Sequence, residues 1–141
     1  MISTRGIAVA ATLAGLAVGT ASPAWADPPA MSGHYIETQT TPQGQTKTND
    51  WYVTSCGNGC ANVTTRGQTL QARLVDNQWT MDQDNSAACS DGTKVSGAES
   101  VHETWDPYTL AGTMQVTDKF PVCGVSTPET STNKVQLKVA P

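Results

Sequence analysis

The sequence predicts an all-β fold, an antiparallel meander of about eight strands closed as a barrel or a sandwich and stapled by two disulfides. Three observations support this prediction. Apolar and polar residues alternate along several short segments, turn residues separate these segments, and four cysteines occur in a chain that begins with an export signal. No stretch places apolar residues at helical spacing for three turns.

Period-two alternation marks the clearest strands. Apolar or small side chains occupy every second position in residues 51–54, 110–117 and 135–139. In a β-strand, successive side chains point to opposite faces, so this pattern buries one face and leaves the other in water. Together these segments predict one shared apolar core.

Turn residues predict where the chain reverses. Residues 41–44 (Thr-Pro-Gln-Gly) should join strands near 33–40 and 46–55, and Asp76-Asn77 should join strands near 70–75 and 78–81. Further reversals are expected at 90–92 and at Asp106-Pro107. A strand-to-strand spacing of roughly 8–12 residues is typical of sandwiches and barrels.

The first 26 residues have the features of a cleaved signal peptide. Arg5 precedes an apolar run over residues 7–18, and Ala24-Trp25-Ala26 is a small-x-small cleavage box. Because the run is too short to span a bilayer, which takes roughly 20 residues, we expect no transmembrane segment. The remaining chain should start near Asp27, with a flexible arm over 27–32 and a single β domain over 33–141. These features predict a secreted protein of the extracellular medium or cell wall.

The charge balance narrows the classes of partner. The chain has 8 basic and 12 acidic side chains, and one of the basic residues, Arg5, lies in the signal. An acidic surface disfavours nucleic acid as a partner. We expect a monomer without a cofactor.

Cys56, Cys60, Cys89 and Cys123 should form two disulfides, because an even number of cysteines in an exported chain is typical of a disulfide framework. Three connectivities are possible. The Gly-Asn-Gly sequence between Cys56 and Cys60 can turn tightly, which favours Cys56–Cys60 and leaves Cys89–Cys123. The Cys-x3-Cys spacing and the distant histidines predict no metal site.

Trp51, Trp79 and Trp105 are predicted to anchor the β core, since each indole buries a large apolar area. If the sheet closes as a small barrel, its interior could hold one small ligand or be filled by side chains. We therefore treat these three tryptophans as candidate ligand-binding residues that would line or plug the interior.

The sequence gives no catalytic constellation. His34 and His102 are interpreted as exposed surface histidines, and no Gly-x-Ser-x-Gly motif is present. Glu99, Glu103 and Asp106 could supply a carboxylate pair for glycoside hydrolysis, but a scattered acidic surface is the expected arrangement.

A series of local motifs resembles a family of small secreted mycobacterial proteins. These motifs are an aromatic strand running into Cys56-Gly57-Asn58-Gly59-Cys60-Ala61, the reversal before Trp79, Cys89-Ser90-Asp91-Gly92, Leu110-Ala111-Gly112 and Cys123-Gly124. The likeness covers most of residues 33–139. It implies an exported, disulfide-bonded fold and carries over no catalytic residue, because the family has no characterised activity.

These observations lead to one functional hypothesis and two alternatives. The chain is expected to be a secreted or cell-envelope protein without catalytic activity that binds a small hydrophobic or glycan ligand, or another envelope component, through loops or a barrel mouth. The first alternative is a module that docks to an exported protein, which requires a contiguous exposed apolar patch. The second is a cell-wall hydrolase, which requires His102 or two carboxyl groups to meet in a cleft.

Overall fold

Eight antiparallel strands form a closed barrel in the computed structural model, which describes residues 28–141. The predicted signal segment, 1–26, and its cleavage site at Ala26-Asp27 lie outside the described residues. The strands are β1 (Gly33–Thr40), β2 (Thr46–Gly57), β3 (Cys60–Thr65), β4 (Gln68–Val75), β5 (Gln78–Ala88), β6 (Lys94–Trp105), β7 (Ala111–Asp118) and β8 (Thr130–Val139).

Pairing between the first and last strands decides between the two predicted architectures. Each strand pairs with its sequence neighbours, and β1 also pairs with β8, so the sheet closes as a barrel with no free edge. Glu37 on β1, for example, lies opposite Asn49 on β2 and opposite Leu137 on β8. The all-β prediction is confirmed, and the alternative left open by the sequence is resolved as a barrel.

The predicted reversals are present in the structure. Asp76 and Asn77 have φ of 48° and 59°, the left-handed pair that a type I′ hairpin turn requires and that Asp and Asn tolerate. Asp106 stabilises the β6–β7 turn because its side-chain oxygen accepts hydrogen bonds from the backbone N–H groups of Tyr108 (2.8 Å) and Thr109 (2.7 Å). The sequence therefore predicted these turns correctly, because each turn needs residue types that are recognisable in the sequence.

The two ends of the barrel differ because the connections alternate between them. The turns at 76–77 and 106–110 lie at the end near Trp79 and Trp105, which we call the tryptophan end. The β7–β8 connection, residues 119–129, lies at the opposite end and is called the strap. Along the inward face of β6, Trp105, Glu103, Val101 and Glu99 follow one another from the tryptophan end towards the strap end.

Both disulfides have the predicted connectivity. Cys56–Cys60 closes the β2–β3 turn with a Cα–Cα distance of 5.0 Å. Cys89–Cys123 joins the end of β5 to the strap across 34 residues of sequence. Beneath the strap, Val122 is buried with Ala87 and Ala98 in a small second core. The second disulfide therefore holds the strap against the barrel wall.

Residues 28–32 precede β1 and contain no strand, but they are anchored at one point. Met31 is only 3 % exposed and packs into the main core, and the Tyr35 hydroxyl donates a hydrogen bond to the Ser32 carbonyl at 3.2 Å. The segment that the sequence identified as a loose arm thus contributes a core side chain.

Gly112 is required where β6 and β7 approach most closely. A Cβ atom at this position would lie 1.8 Å from the Thr104 carbonyl oxygen and 2.7 Å from the Trp105 Cα. Both are backbone atoms, which cannot move without displacing β6. Gly112 therefore allows the strand to pack beside Trp105.

We expect Gly112→Ala to destabilise the protein by about 3 kcal/mol, the upper end of the usual range for steric overpacking that forces backbone shifts. Urea unfolding monitored by tryptophan fluorescence measures the change. Gln115→Ala is the matched control, since Gln115 is exposed on the same strand, and it should change stability by less than about 0.5 kcal/mol. A Gly112→Ala protein as stable as this control would contradict the steric argument.

Candidate functional site

The three predicted tryptophans meet inside the barrel. Trp105 is in the middle, with its ring centroid 5.2 Å from that of Trp51 and 6.3 Å from that of Trp79. None of the three is more than 1 % exposed. Their prediction as core anchors is confirmed, because they fill the lumen by packing on one another. A role in contacting a ligand stays a prediction.

A polar group of residues occupies the lumen next to this aromatic plug. Glu37 is 1 % exposed, and both of its carboxylate oxygens accept a hydrogen bond. Oε1 accepts from the Gln39 amide and Oε2 from the Asn49 amide, each at 2.6 Å. These two amides satisfy a buried carboxylate that would otherwise be strongly destabilising.

Glu103 reaches the same group from the far side of the barrel. Burial raises the pKa of Glu103 to about 9, and the charge of Glu37 and a hydrogen bond with it act in the same direction, with Arg66 opposing them. The carboxyl group of Glu103 is therefore neutral at pH 7. Its Oε1 atom has no hydrogen-bond partner among the described residues, and neither has Trp105 Nε1.

The expectation that Glu103 belongs to a scattered acidic surface is wrong, since the residue is only 2 % exposed. The alternation along β6 could have identified Glu103 as a buried residue, because Val101, Glu103 and Trp105 share one face of that strand. The sequence pattern does not identify Glu37 as a buried residue. Its inward neighbour Gln39 is also polar, so β1 lacks the apolar alternation that would mark a buried face.

The two histidines lie on the outer wall, and each contacts an aspartate. His34 Nε2 is 2.8 Å from Asp50 Oδ1, and His102 Nδ1 is 2.6 Å from Asp82 Oδ1. The His102 side chain is 52 % exposed and that of His34 is 38 % exposed. The predicted surface location is confirmed for both, and the structure does not bring His102 together with Glu99 or Glu103.

A cleft of ≈ 520 Å³ lies at the strap end, and we call it the strap-end cleft. The strap and the ends of β6, β7 and β8 form its walls. Its apolar surface comes mainly from Val116, Val122 and Val125, and its polar surface includes three carboxyl groups, those of Glu99, Asp118 and Glu129. Glu99 lies on β6, Asp118 ends β7 and Glu129 ends the strap, so no pattern within one strand joins them and sequence reasoning identified only Glu99.

All the ionisable side chains that line the strap-end cleft are acidic. Glu99 and Asp118 are direct partners across the β6–β7 ladder, and the pKa of Glu99 is raised by burial and by the charge of Asp118. The residues lining the cleft include no Lys, Arg or His. Lys119, the nearest base in sequence, is 2.7 Å from Asp84 instead. The Asp118 Oδ2 atom accepts a hydrogen bond from the Glu129 backbone N–H at 3.1 Å, but no positively charged side chain lines the cleft, so a cation entering it would be attracted to the three carboxyl groups.

Within residues 28–141, no three His, Cys, Asp or Glu side chains are arranged to hold a metal ion, and no helix is long and apolar enough to cross a membrane.

Comparison with known proteins finds no match among family models, curated proteins or solved structures. The resemblance to secreted mycobacterial proteins therefore stays a prediction.

The stability of the barrel should depend on pH through Glu103. Because the folded state holds this proton more tightly than the unfolded chain, its contribution is fully present below the usual glutamate pKa and is lost as pH rises towards about 9. We expect stability to fall by about 1 kcal/mol per pH unit between about pH 5 and pH 8 from this group.

Urea unfolding of wild type and Glu103→Gln across this pH range measures the effect. The glutamine amide imitates the protonated acid, so the variant should lose most of the slope and be the more stable protein at pH 8. Glu129→Gln removes an exposed carboxylate instead and should follow the wild-type slope. Parallel curves for wild type and Glu103→Gln would show that Glu103 does not hold the proton.

Proposed function

We propose that this chain is an exported binding protein without catalytic activity, and that the strap-end cleft binds a small organic cation with an apolar part. Export is supported by the signal-like segment before Asp27 and by the two disulfides, which persist in oxidising compartments. The extracellular medium or the cell wall is the location that fits these features.

The observation that carries the proposal is the composition of the cleft. Three carboxyl groups and three valines line one concave surface without a basic side chain. Ligand sites commonly combine apolar walls with a few convergent polar groups, and they occur in the mouths of β-barrels. An ammonium group would be attracted by Glu99 and Asp118, while a short alkyl chain would cover Val122 and Val125.

Two features exclude the lumen as the ligand site in this proposal. The tryptophan end is filled by the three indoles, and the adjoining polar group is occupied by the Glu37 and Glu103 carboxyl groups. Val101, which is 1 % exposed, lies between Glu103 and Glu99 on the inward face of β6. Val101 therefore separates the carboxyl group of Glu103 in the lumen from that of Glu99 in the cleft.

The binding test compares three probes of equal length, namely hexylamine, hexanol and hexanoate, by NMR titration of the oxidised protein. We expect hexylamine to bind at least about tenfold more tightly than the other two, since only its charge complements the cleft. The double variant Glu99→Gln/Asp118→Asn should weaken hexylamine binding by about tenfold or more.

Asp76→Asn is the matched control, because it removes one negative charge in the turn at the tryptophan end, where asparagine tolerates the same left-handed backbone. It should leave hexylamine affinity within about twofold of wild type. Equal affinity for all three probes, or equal weakening by the control, would show that the cleft carboxylates do not select a cation.

A hydrolase is the second candidate, supported by one specific observation. Glu99 and Asp118 place two carboxyl groups in a cleft, and the pKa of Glu99 is raised by burial and by the charge of Asp118. In glycoside hydrolysis a carboxyl group with a raised pKa serves as the acid, beside a second carboxyl group that acts as nucleophile or base. Release of reducing ends from cell-wall glycan by wild type, lost in Glu99→Gln, would establish this candidate in place of simple binding.

A docking module has weaker support. Within residues 28–141, six large apolar side chains are exposed, and of these only Phe120 and Val125 share one connecting segment, the strap. Val125 already belongs to the strap-end cleft and contributes to the apolar part of the proposed ligand site, which leaves Phe120 as the exposed apolar side chain of the strap outside that cleft.

A further inference from the structure

A second cleft lies on the outer wall of the barrel, away from the strap-end cleft. It has a volume of ≈ 360 Å³ and runs beside β2 and β3 towards the turn at Arg66. Its lining includes one aromatic side chain, Tyr52, together with Asp50, Thr48, Thr64 and Arg66. We call it the Tyr52 cleft.

Tyr52 is held in place although it is 56 % exposed. His34, its partner on β1, stacks on one face of the phenol ring with centroids 4.5 Å apart and planes 14° from parallel. The imidazole is itself fixed by Asp50, 2.8 Å away. On its other side Tyr52 is paired with Thr64 of β3, where the cleft lies. The ring is thus supported from behind and open towards the cleft.

The polar groups around this ring are planar and have free hydrogen-bonding capacity. Asp50 uses Oδ1 for His34, and no hydrogen bond of the described residues uses Oδ2. Arg66 is exposed, has a left-handed backbone (φ 48°) that presents it at the turn, and takes part in none of the ion pairs formed within residues 28–141. The cleft therefore offers an aromatic face flanked by a carboxylate and a guanidinium group.

We propose that the Tyr52 cleft binds a hexopyranose unit of a neutral glycan. One face of such a sugar carries C–H groups that pack on an aromatic ring, while its edge carries hydroxyl groups that both donate and accept hydrogen bonds. Asp50 accepts from these hydroxyls and Arg66 donates to them. A tyrosine held by His34 loses little side-chain entropy on binding.

Other ligand classes fit this surface less well. A purely apolar ligand would desolvate Asp50 and Arg66 without replacing their hydrogen bonds, which is costly. An anionic ligand would be attracted by Arg66 but repelled by Asp50, which lines the same cleft. This inference is independent of the strap-end cleft, since the two sites share no residue.

The test is an NMR titration of the oxidised protein with three neutral oligosaccharides, namely cellohexaose, maltohexaose and N-acetylchitohexaose. We expect at least one of them to shift the amide signals of residues 48–52 and 64–67. Tyr52→Ala should weaken that binding by about tenfold or more, and Tyr52→Phe should stay within about threefold of wild type, because the ring rather than the hydroxyl carries the contact.

Tyr108→Ala is the matched control, since Tyr108 is also an exposed tyrosine, at 70 %, but lies in the β6–β7 turn. It should leave the affinity unchanged, and an amide spectrum of Tyr52→Ala as well dispersed as that of wild type shows that this variant is folded, separately from any effect on the sugar site. The proposal is overturned if none of the three oligosaccharides shifts these amides, or if Tyr52→Ala binds as tightly as wild type.

Discussion

The packing of Trp105 between Trp51 and Trp79 is the constraint on which the rest of the molecule depends. An eight-stranded barrel has an interior just wide enough to be filled by side chains or to hold one small ligand. Here three indoles occupy the tryptophan end, and the glycine at 112 lets β7 approach the strand that carries Trp105. Because this end is filled, the barrel mouth that remains open to a small ligand is the opposite one, under the strap.

The carboxyl pair in the lumen divides the aromatic plug from that surface. Burying two acids is costly, and the barrel limits the cost in two ways: two amides solvate Glu37, and Glu103 remains protonated. The raised pKa of Glu103 therefore keeps one of the two buried carboxyl groups neutral at pH 7. Beyond Val101 the next inward side chain is Glu99, so the acidic character continues along β6 into the strap-end cleft.

Local sequence rules located most of the fold. The turns at Asp76-Asn77 and Asp106 were predictable because their backbone or side-chain hydrogen bonds need those residues, and the Gly-Asn-Gly turn indicated the Cys56–Cys60 bond. Predicted strands near 78–81 and 135–139 are longer in the structure, at Gln78–Ala88 and Thr130–Val139, because polar residues continue them. Barrel closure was left open, since pairing of β1 with β8 depends on contacts about 100 residues apart in sequence.

The site was less predictable than the fold for a related reason. The strap-end cleft draws on β6, β7, the strap and β8, and the Glu37–Glu103 contact crosses the lumen, so neither forms a pattern within one segment. The Tyr52 cleft likewise depends on His34 from the neighbouring strand. Spacing along one strand can show which face a residue occupies, but it cannot show which residue faces it from elsewhere.

The most direct test of this account is a nitrogen–proton correlation spectrum of the oxidised protein, recorded while hexylamine is added. The spectrum reports the indole N–H groups of Trp51, Trp79 and Trp105 and the backbone amides of the strap at the same time. The account predicts that amides around Asp118 and Val122 shift together while the three indole signals stay in place. Shifts of the indole signals with an unaffected strap would place the ligand in the lumen and contradict the account.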